Sequence, residues 1–461
     1  MEQYDVIVIG GGPAGYVCAI RASQLGMKVA LVEKRNTLGG TCLNVGCIPS
    51  KALLDSSEQY HFAKEKLKEH GVEVGSVQLN FTTMMKRKEK VVSEVVKGVD
   101  FLMKKNKIKR YLGLATLQSN NKVAVQGENE KAEISASKIV IATGSIPAEL
   151  PFLPFDGKKV ISSTEALSLK KVPKKLAIVG AGVIGLELGS VYARLGSEVH
   201  IIELLPNLLP TCDGKIASYA KRLLESQGLK FYMEHKVKGL EKSSLLVETP
   251  KGDTININAD VILVATGRKP FTENLGLEKI GIQLDEKGRI PVNEKYETNV
   301  SGVYAIGDVI KGPMLAHKAM EEGIAVAEMM AGKYGHVNYK AIPYIVYTWP
   351  EIAWVGMGEE EAKKQGYDIK IGKAFFKANG RAKAMGETDG QVKVIADKKT
   401  DDLLGLFILG PRASDMIAEA AIAMEFSASA EDIARSIHAH PTLSEVVLEA
   451  ALDAEKRAIH A

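Results

Sequence analysis

The chain is poor in cysteine, in charge of one sign and in long apolar runs, and each shortage removes a class of protein. Four cysteines in 461 residues do not make a disulfide framework. The 60 basic and 56 acidic side chains leave a net charge of +4, too balanced for a nucleic-acid or membrane-surface binder. No apolar run reaches the ~20 residues that cross a bilayer. The start, Met1-Glu2-Gln3-Tyr4-Asp5, carries no basic segment and passes at once into a strand, so no secretory signal is expected. A reducing cytoplasmic setting is the expectation, because disulfides that persist there are catalytic or redox-sensing. What is present is ordinary for a globular protein, with 46% apolar and 25% charged residues, at a length that predicts two to four domains.

The chain repeats itself. Gly10, Gly12, Gly15 and Glu33 recur 170 residues later as Gly180, Gly182, Gly185 and Glu203. A shorter echo pairs Ala142-Thr143-Gly144 with Ala265-Thr266-Gly267. Short apolar runs at 6–9, 29–32, 138–141, 177–179, 199–202 and 261–264 fit buried parallel strands, with helical stretches between many of them. The fold class is therefore α/β, with two Rossmann-like dinucleotide-binding domains. From about Ala341 the character changes. Strands are expected at 346–349, 391–396 and 404–409, and amphipathic helices at 413–426 and 443–458, an α+β domain without a glycine fingerprint. The expected divisions are 1–148, 149–270, 271–341 and 342–461.

In the first fingerprint, Gly10 allows a tight turn, Gly12 lets backbone approach a pyrophosphate, and Gly15 lets the helix pack on the strand. Glu33, ending the next strand, suits ribose hydroxyls. In the second, Gly180-Ala181-Gly182-Val183-Ile184-Gly185 is answered by Glu203. A carboxylate there suits a free 2′-hydroxyl, and Leu204-Leu205-Pro206-Asn207 supplies no arginine for a 2′-phosphate, so NAD is favoured over NADP.

Cys42 and Cys47 close too short a loop to brace a fold, and the pair suits oxidation and reduction better. The competing readings are inert thiols and zinc ligands. Zinc needs two more ligands, and His438 and His440 are the only local candidates. Cys18 reads as a small buried hydrophobe and Cys212 has no near partner. A dithiol gives up an electron pair, which NAD accepts only as hydride, and a flavin converts one into the other. Asp308, after Tyr304-Ala305-Ile306-Gly307, could bind ribitol hydroxyls of FAD; a plain turn aspartate is the alternative. A dithiol also needs a base, which His440 held by Glu445 would supply, though Thr442-x-x-Glu445 also matches a helix capping box.

Taken together, the segment Gly39 to Lys51, reading GGTCLNVGCIPSK, and the segment His438 to Glu445, reading HAHPTLSE, resemble the FAD-dependent pyridine nucleotide–disulfide oxidoreductases over essentially the whole chain. With Glu203 they narrow the likeness to the lipoamide branch. The resemblance implies that protein-bound dihydrolipoamide is oxidised through Cys42 and Cys47, with FAD and NAD as cofactors. It implies that Cys42 exchanges with the lipoyl sulfur and that Cys47 faces the flavin. His440 and Glu445 would serve the other subunit of a homodimer, and Lys51 and Glu187 would pair beside the flavin. It further implies FAD contacts at Gly40, Thr41, Ala115, Thr143, Gly144, Ser145, Met314, Leu315, Ala316 and His317, and NAD contacts at Val183, Ile184, Val237 and Gly267. The implied partners are lipoyl domains and the transacylase core of 2-oxoacid dehydrogenase complexes, with no nucleic acid, membrane or metal. Ile184 stands where glutathione reductases usually carry a tyrosine. Glu203 and Ile184 thus argue against a glutathione or mercuric reductase, the nearest alternative. A docking subunit with an incidental flavin is a rival of another class, which the intact cysteine pair and histidine oppose. No N-terminal lipoyl domain and no additional terminal cysteine pair are expected.

Overall fold

The computed structural model describes residues 1–128 and 131–460. Its contacts divide the chain into two compact units: Met1–Leu53, Asn80–Ala148 and Gly267–Val337 form the first, and the remainder forms the second.

In the first unit the strands run in the order Lys109–Leu112, Val29–Glu33, Glu2–Ile9, Lys131–Ile141, Lys122–Gln126, Leu114–Ser119, and Val303–Ala305 also pairs with Lys131–Ile141. Val29–Glu33, Glu2–Ile9 and Val303–Ala305 are parallel to their partners, and Lys122–Gln126 is antiparallel to both of its neighbours. Val6, Ile7 and Val8 are fully buried, as expected of a strand covered on both faces. The register sets Ile9 beside Val32 and Ile141, and Ala305 beside Ile141. Four strands thus end together, and the segments that follow them, at Gly10, Lys34, Ala142 and Ile306, share one edge of the sheet. That is where open α/β sheets bind ligands.

The second unit holds a parallel sheet in the order Leu229–Met233, Glu198–Glu203, Lys175–Val179, Val261–Val264, Val160–Ile161. Lys236–Glu241, Ser244–Glu248 and Thr254–Asn258 add a three-stranded antiparallel sheet. A five-stranded antiparallel sheet follows in the order Tyr344–Val346, Glu351–Gly356, Leu403–Gly410, Gln391–Asp397, Ile369–Phe375. The helices Ala413–Glu425 and Glu445–Ala454 pack on it.

Two sequence expectations need correction. The strand expected at 346–349 is Tyr344–Val346. Tyr347 gives its N–H to the Glu187 carboxylate instead of a ladder partner, and Pro350 then offers no N–H at all. The last helix spans Glu445–Ala454 and is shorter at both ends than the 443–458 expected, because Ser444 is its N-cap and Glu455 its C-cap. Among the described residues no helix is long and apolar enough to cross a membrane.

Candidate active site

The two thiols sit where two helices meet. Cys42 lies in Gly40–Val45, and Cys47 is the first residue of Cys47–His61. Asn44 holds the turn by donating to the Leu38 and Gly40 carbonyls, each at 2.9 Å. Gly39 donates its N–H to Gly11 O at 2.8 Å, and a Cβ on Gly40 would fall 2.6 Å from Gly12 Cα. The thiol segment is thereby laid directly against the first glycine loop. The Cys42 thiol is pushed far up by its hydrogen bond with Cys47, by burial and by the Cys47 charge, with Lys51 opposing. Cys47 occupies a helix N-terminus, where the backbone favours negative charge, and Lys51 lies one turn further on. Of the pair, Cys47 is the sulfur suited to be the thiolate.

The two fingerprints are alike down to their hydrogen bonds. Glu33 accepts from the N–H of Gly11 at 2.8 Å and of Arg35 at 2.9 Å. Glu203 accepts from the N–H of Ala181 at 2.7 Å and of Leu205 at 2.9 Å. The glycines divide into two kinds. A Cβ on Gly15 would lie 1.8 Å from Gly10 O, and one on Gly185 would lie 2.1 Å from Gly180 O. Those positions are demanded by the close approach of helix and strand. A Cβ on Gly12 would meet nothing nearer than 3.8 Å, and one on Gly182 nothing within 4 Å. Each of these two is the N-cap of its helix, Pro13–Gln24 or Val183–Arg194. Internal packing does not require them to be glycine, and the space beside each helix N-terminus fits a pyrophosphate. Val183 and Ile184 open the second of these helices.

Asp308 accepts a hydrogen bond from the Ser145 hydroxyl at 2.5 Å. Ser145 in turn receives Arg268 Nε on its hydroxyl at 2.7 Å and an Arg268 terminal nitrogen on its carbonyl at 2.6 Å. Burial lowers the Arg268 guanidinium, with Asp308 and Cys47 opposing. Thr143 donates to Phe271 O at 2.5 Å, and Gly144 has φ +73°. Met314 and Leu315 lead into the helix Ala316–Met330, whose first residues are Ala316 and His317. Beneath the Asp308 turn, Lys318 and Glu322 form a fully buried ion pair at 2.9 Å. Glu322 accepts the Gly307 N–H at 2.8 Å, and Lys318 donates to Gly307 O at 3.1 Å.

Sequence reasoning missed Arg268, Lys318 and Glu322. The only available signal was Arg268 directly after Gly267; Lys318 and Glu322 have the i,i+4 spacing that exposed helix pairs also use. Ala115 and Val237 are buried in their strands, and Gly267 has φ +146° with no atom within 4 Å of a Cβ. Lys51 lies in the first unit, whereas Glu187 lies in the second, 3% exposed, accepting the Tyr347 N–H.

In the second unit, Glu445 bonds His440 Nδ1 at 2.8 Å through one oxygen and accepts the Thr442 N–H at 2.8 Å through the other. Burial works against ionisation of Glu445, but these two hydrogen bonds outweigh it and hold the carboxyl below its usual range. The capping box does not form: the helix begins at Glu445 with Ser444 as its N-cap, so Glu445 is not its third residue, and the Thr442 hydroxyl donates to Ala439 O. With Nδ1 engaged, Nε2 of His440 has no hydrogen-bond partner among the described residues, on a side chain 80% exposed. His438 is instead fastened, Nε2 to Glu419 at 2.6 Å and Nδ1 to Ser436 O at 2.9 Å. Cys18 is fully buried and its thiol is pushed up to about 12 by burial. Among the described residues no group of three or more His, Cys, Asp or Glu side chains could hold a metal ion.

The family described as pyridine nucleotide-disulphide oxidoreductase matches residues 4–323, and its dimerisation domain matches residues 342–451. A protein of Pisum sativum named "Dihydrolipoyl dehydrogenase, mitochondrial" is 51% identical, across 100% of this chain and 93% of its own. The "Dihydrolipoyl dehydrogenase" of Trypanosoma brucei brucei is 50% identical across 98% of this chain and 96% of its own. Among solved structures, the copper(II) complex of the HOCl-induced flavoprotein disulfide reductase RclA from Escherichia coli superposes with a TM-score of 0.87. It is 29% identical, covering 98% of this chain and 99% of that one. Sequence, fold and the paired thiols agree: the chain belongs to the pyridine nucleotide-disulphide oxidoreductase family.

Proposed function

We propose that the chain is a dihydrolipoamide dehydrogenase, which oxidises protein-bound dihydrolipoamide to lipoamide and reduces NAD+ to NADH. The observation that carries this reading is the thiol pair: two hydrogen-bonded sulfurs, one at a helix N-terminus, beside a glycine loop with room for a pyrophosphate. Residues 1–148 and 271–341 are assigned to FAD, 149–270 to NAD and 342–461 to dimerisation. Gly10, Gly12, Gly15, Glu33, Gly40, Thr41 and Asp308 would hold FAD, with further contacts from Ala115, Thr143, Gly144, Ser145 and the 314–317 segment. Gly180, Gly182, Val183, Ile184, Gly185, Glu203, Val237 and Gly267 would hold NAD, and Lys51 and Glu187 would flank the flavin. When bound, FAD supplies the conversion of a dithiol's electron pair into a hydride for nicotinamide.

The chain's own groups perform the thiol chemistry. His440 Nε2 removes a proton from one substrate thiol. The resulting thiolate attacks Cys42 Sγ in the Cys42–Cys47 disulfide, which breaks to leave Cys47 as thiolate. The second substrate thiol then attacks the lipoyl sulfur bonded to Cys42, closing lipoamide and releasing Cys42. Glu445 fixes the tautomer that leaves Nε2 free and stabilises the protonated ring. The exposure of His440 suits a homodimer in which it serves the thiols of the other chain. The physiological partners are then the lipoyl domains and transacylase core of a 2-oxoacid dehydrogenase complex. Cytosolic residence is part of the proposal; a mitochondrial address, as in the Pisum sativum name, is the competitor, and fractionation of tagged protein decides.

The test is steady-state NADH formation by the flavin-loaded protein. Dihydrolipoamide with NAD+ should turn over, and glutathione or NADP+ in their places should not. Faster turnover with glutathione disulfide and a reduced nicotinamide would refute the assignment.

A further inference from the structure

A buried charge cluster lies outside the groups used so far. Lys393, on the strand Gln391–Asp397, is fully buried, with Nζ 2.6 Å from Asp213 Oδ2 and 3.0 Å from Glu359 Oε2. Glu359 also receives Lys215 at 2.9 Å and Lys363 at 2.8 Å. Burial opposes its ionisation, and these three lysines outweigh it, so Glu359 stays charged. Asp213 is doubly used. Oδ1 caps the helix Gly214–Ser226 by accepting from Lys215 N–H at 3.1 Å and Ile216 N–H at 3.3 Å. Oδ2 takes Lys393 and, at 3.2 Å, the Glu359 N–H.

Asp213 closes the loop that begins at Glu203. Within the loop, Leu205 N–H binds the Glu203 carboxylate, Leu209 N–H binds Ala181 O at 3.3 Å, and Cys212 N–H returns to Leu209 O at 2.8 Å. Glu234 N–H binds Leu205 O at 3.3 Å. The loop is thus fastened at one end to the second glycine motif and at the other to Lys393.

We infer that Lys393 is a positioning residue for the NAD site: across 180 residues of sequence it clamps Asp213, and with it the loop that orients Glu203. This rests on the reading of Glu203 as the NAD ribose ligand. The antiparallel sheet, which has no dinucleotide fingerprint, then sets the affinity of the parallel one.

Asp213→Asn tests it in the flavin-loaded enzyme, because asparagine still caps the helix while the charge opposite Lys393 is gone. The KM for NAD+ should rise about tenfold, within the range that such coupled residues exert. Anaerobic bleaching of the flavin by dihydrolipoamide alone, which needs no NAD, should keep its wild-type rate. Lys393→Arg should recover most of the wild-type KM. If Asp213→Asn does not retain flavin, Lys393→Gln reads the same two quantities. An unchanged KM overturns the inference, as does an equal loss in both half-reactions, which would mark a merely structural cluster. Failure of the wild-type enzyme to reduce NAD+ at all would instead remove the functional reading beneath it.

Discussion

The two kinds of glycine in the second fingerprint should separate binding from stability. In Gly185→Ala the new Cβ would lie 2.1 Å from Gly180 O, more than an ångström inside normal contact. That oxygen belongs to backbone, so helix and strand must move apart. Overpacking of this kind costs about 1–3 kcal/mol, and more where backbone blocks relief. At roughly 2–4 °C per kcal/mol for a domain of this size, unfolding should begin several degrees earlier. In Gly182→Ala the Cβ meets nothing within 4 Å, and φ −82° with ψ −176° is ordinary for alanine, so stability should stay within about 1 kcal/mol of wild type. The methyl would occupy the space read here as the pyrophosphate's. A tenfold loss of NAD affinity corresponds to about 1.4 kcal/mol and is the least expected. Calorimetry of both variants, beside isothermal titration with NADH, reads the two quantities separately. Normal NADH affinity in Gly182→Ala would refute the assignment of that space.

Cys47→Ser should abolish dihydrolipoamide turnover while leaving part of the NADH-to-dye activity, measured in parallel assays; equal loss of both would contradict the roles given to the two thiols. His438 has its own pH signature. Its hydrogen bond to Glu419 raises it above the ordinary 6.5, with burial opposing. A raised folded value means that the stabilisation is complete below the unfolded value and lost as pH rises through the folded one. The difference in melting temperature between wild type and His438→Asn should therefore be larger near pH 6 than near pH 9, and a difference that grows with pH would reverse the sign of the argument.

The features legible in the sequence were local ones. Gly10, Gly12, Gly15 and Glu33 span a single strand–loop–helix–strand unit, so their spacing reports their geometry, and the repeat at Gly180 to Glu203 doubled the signal. Cys42 with Cys47 and His440 with Glu445 are likewise near neighbours. The groups that stayed hidden meet from far apart. Ser145 reaches Asp308 across 163 residues, and Lys393 reaches Asp213 across 180. No periodicity encodes such pairs. The buried Lys318–Glu322 pair was hidden for another reason, since its i,i+4 spacing is what an exposed helix uses for surface ion pairs. The strand misplaced at 346–349 shows apolar pattern losing to a side chain, because Glu187 takes the Tyr347 N–H that a ladder would need.

The central claim is that electrons pass from dihydrolipoamide through Cys42 and Cys47 to NAD. An anaerobic absorbance titration of the flavin-loaded protein, first with dihydrolipoamide and then with NAD+, tests it most directly. The account predicts bleaching of the flavin band and a new long-wavelength band on the first addition, from the Cys47 thiolate against the flavin. On the second, that band should disappear as NADH absorbance appears. A flavin that ignores dihydrolipoamide yet is bleached by NADH would contradict the claim and assign the disulfide chemistry to another substrate.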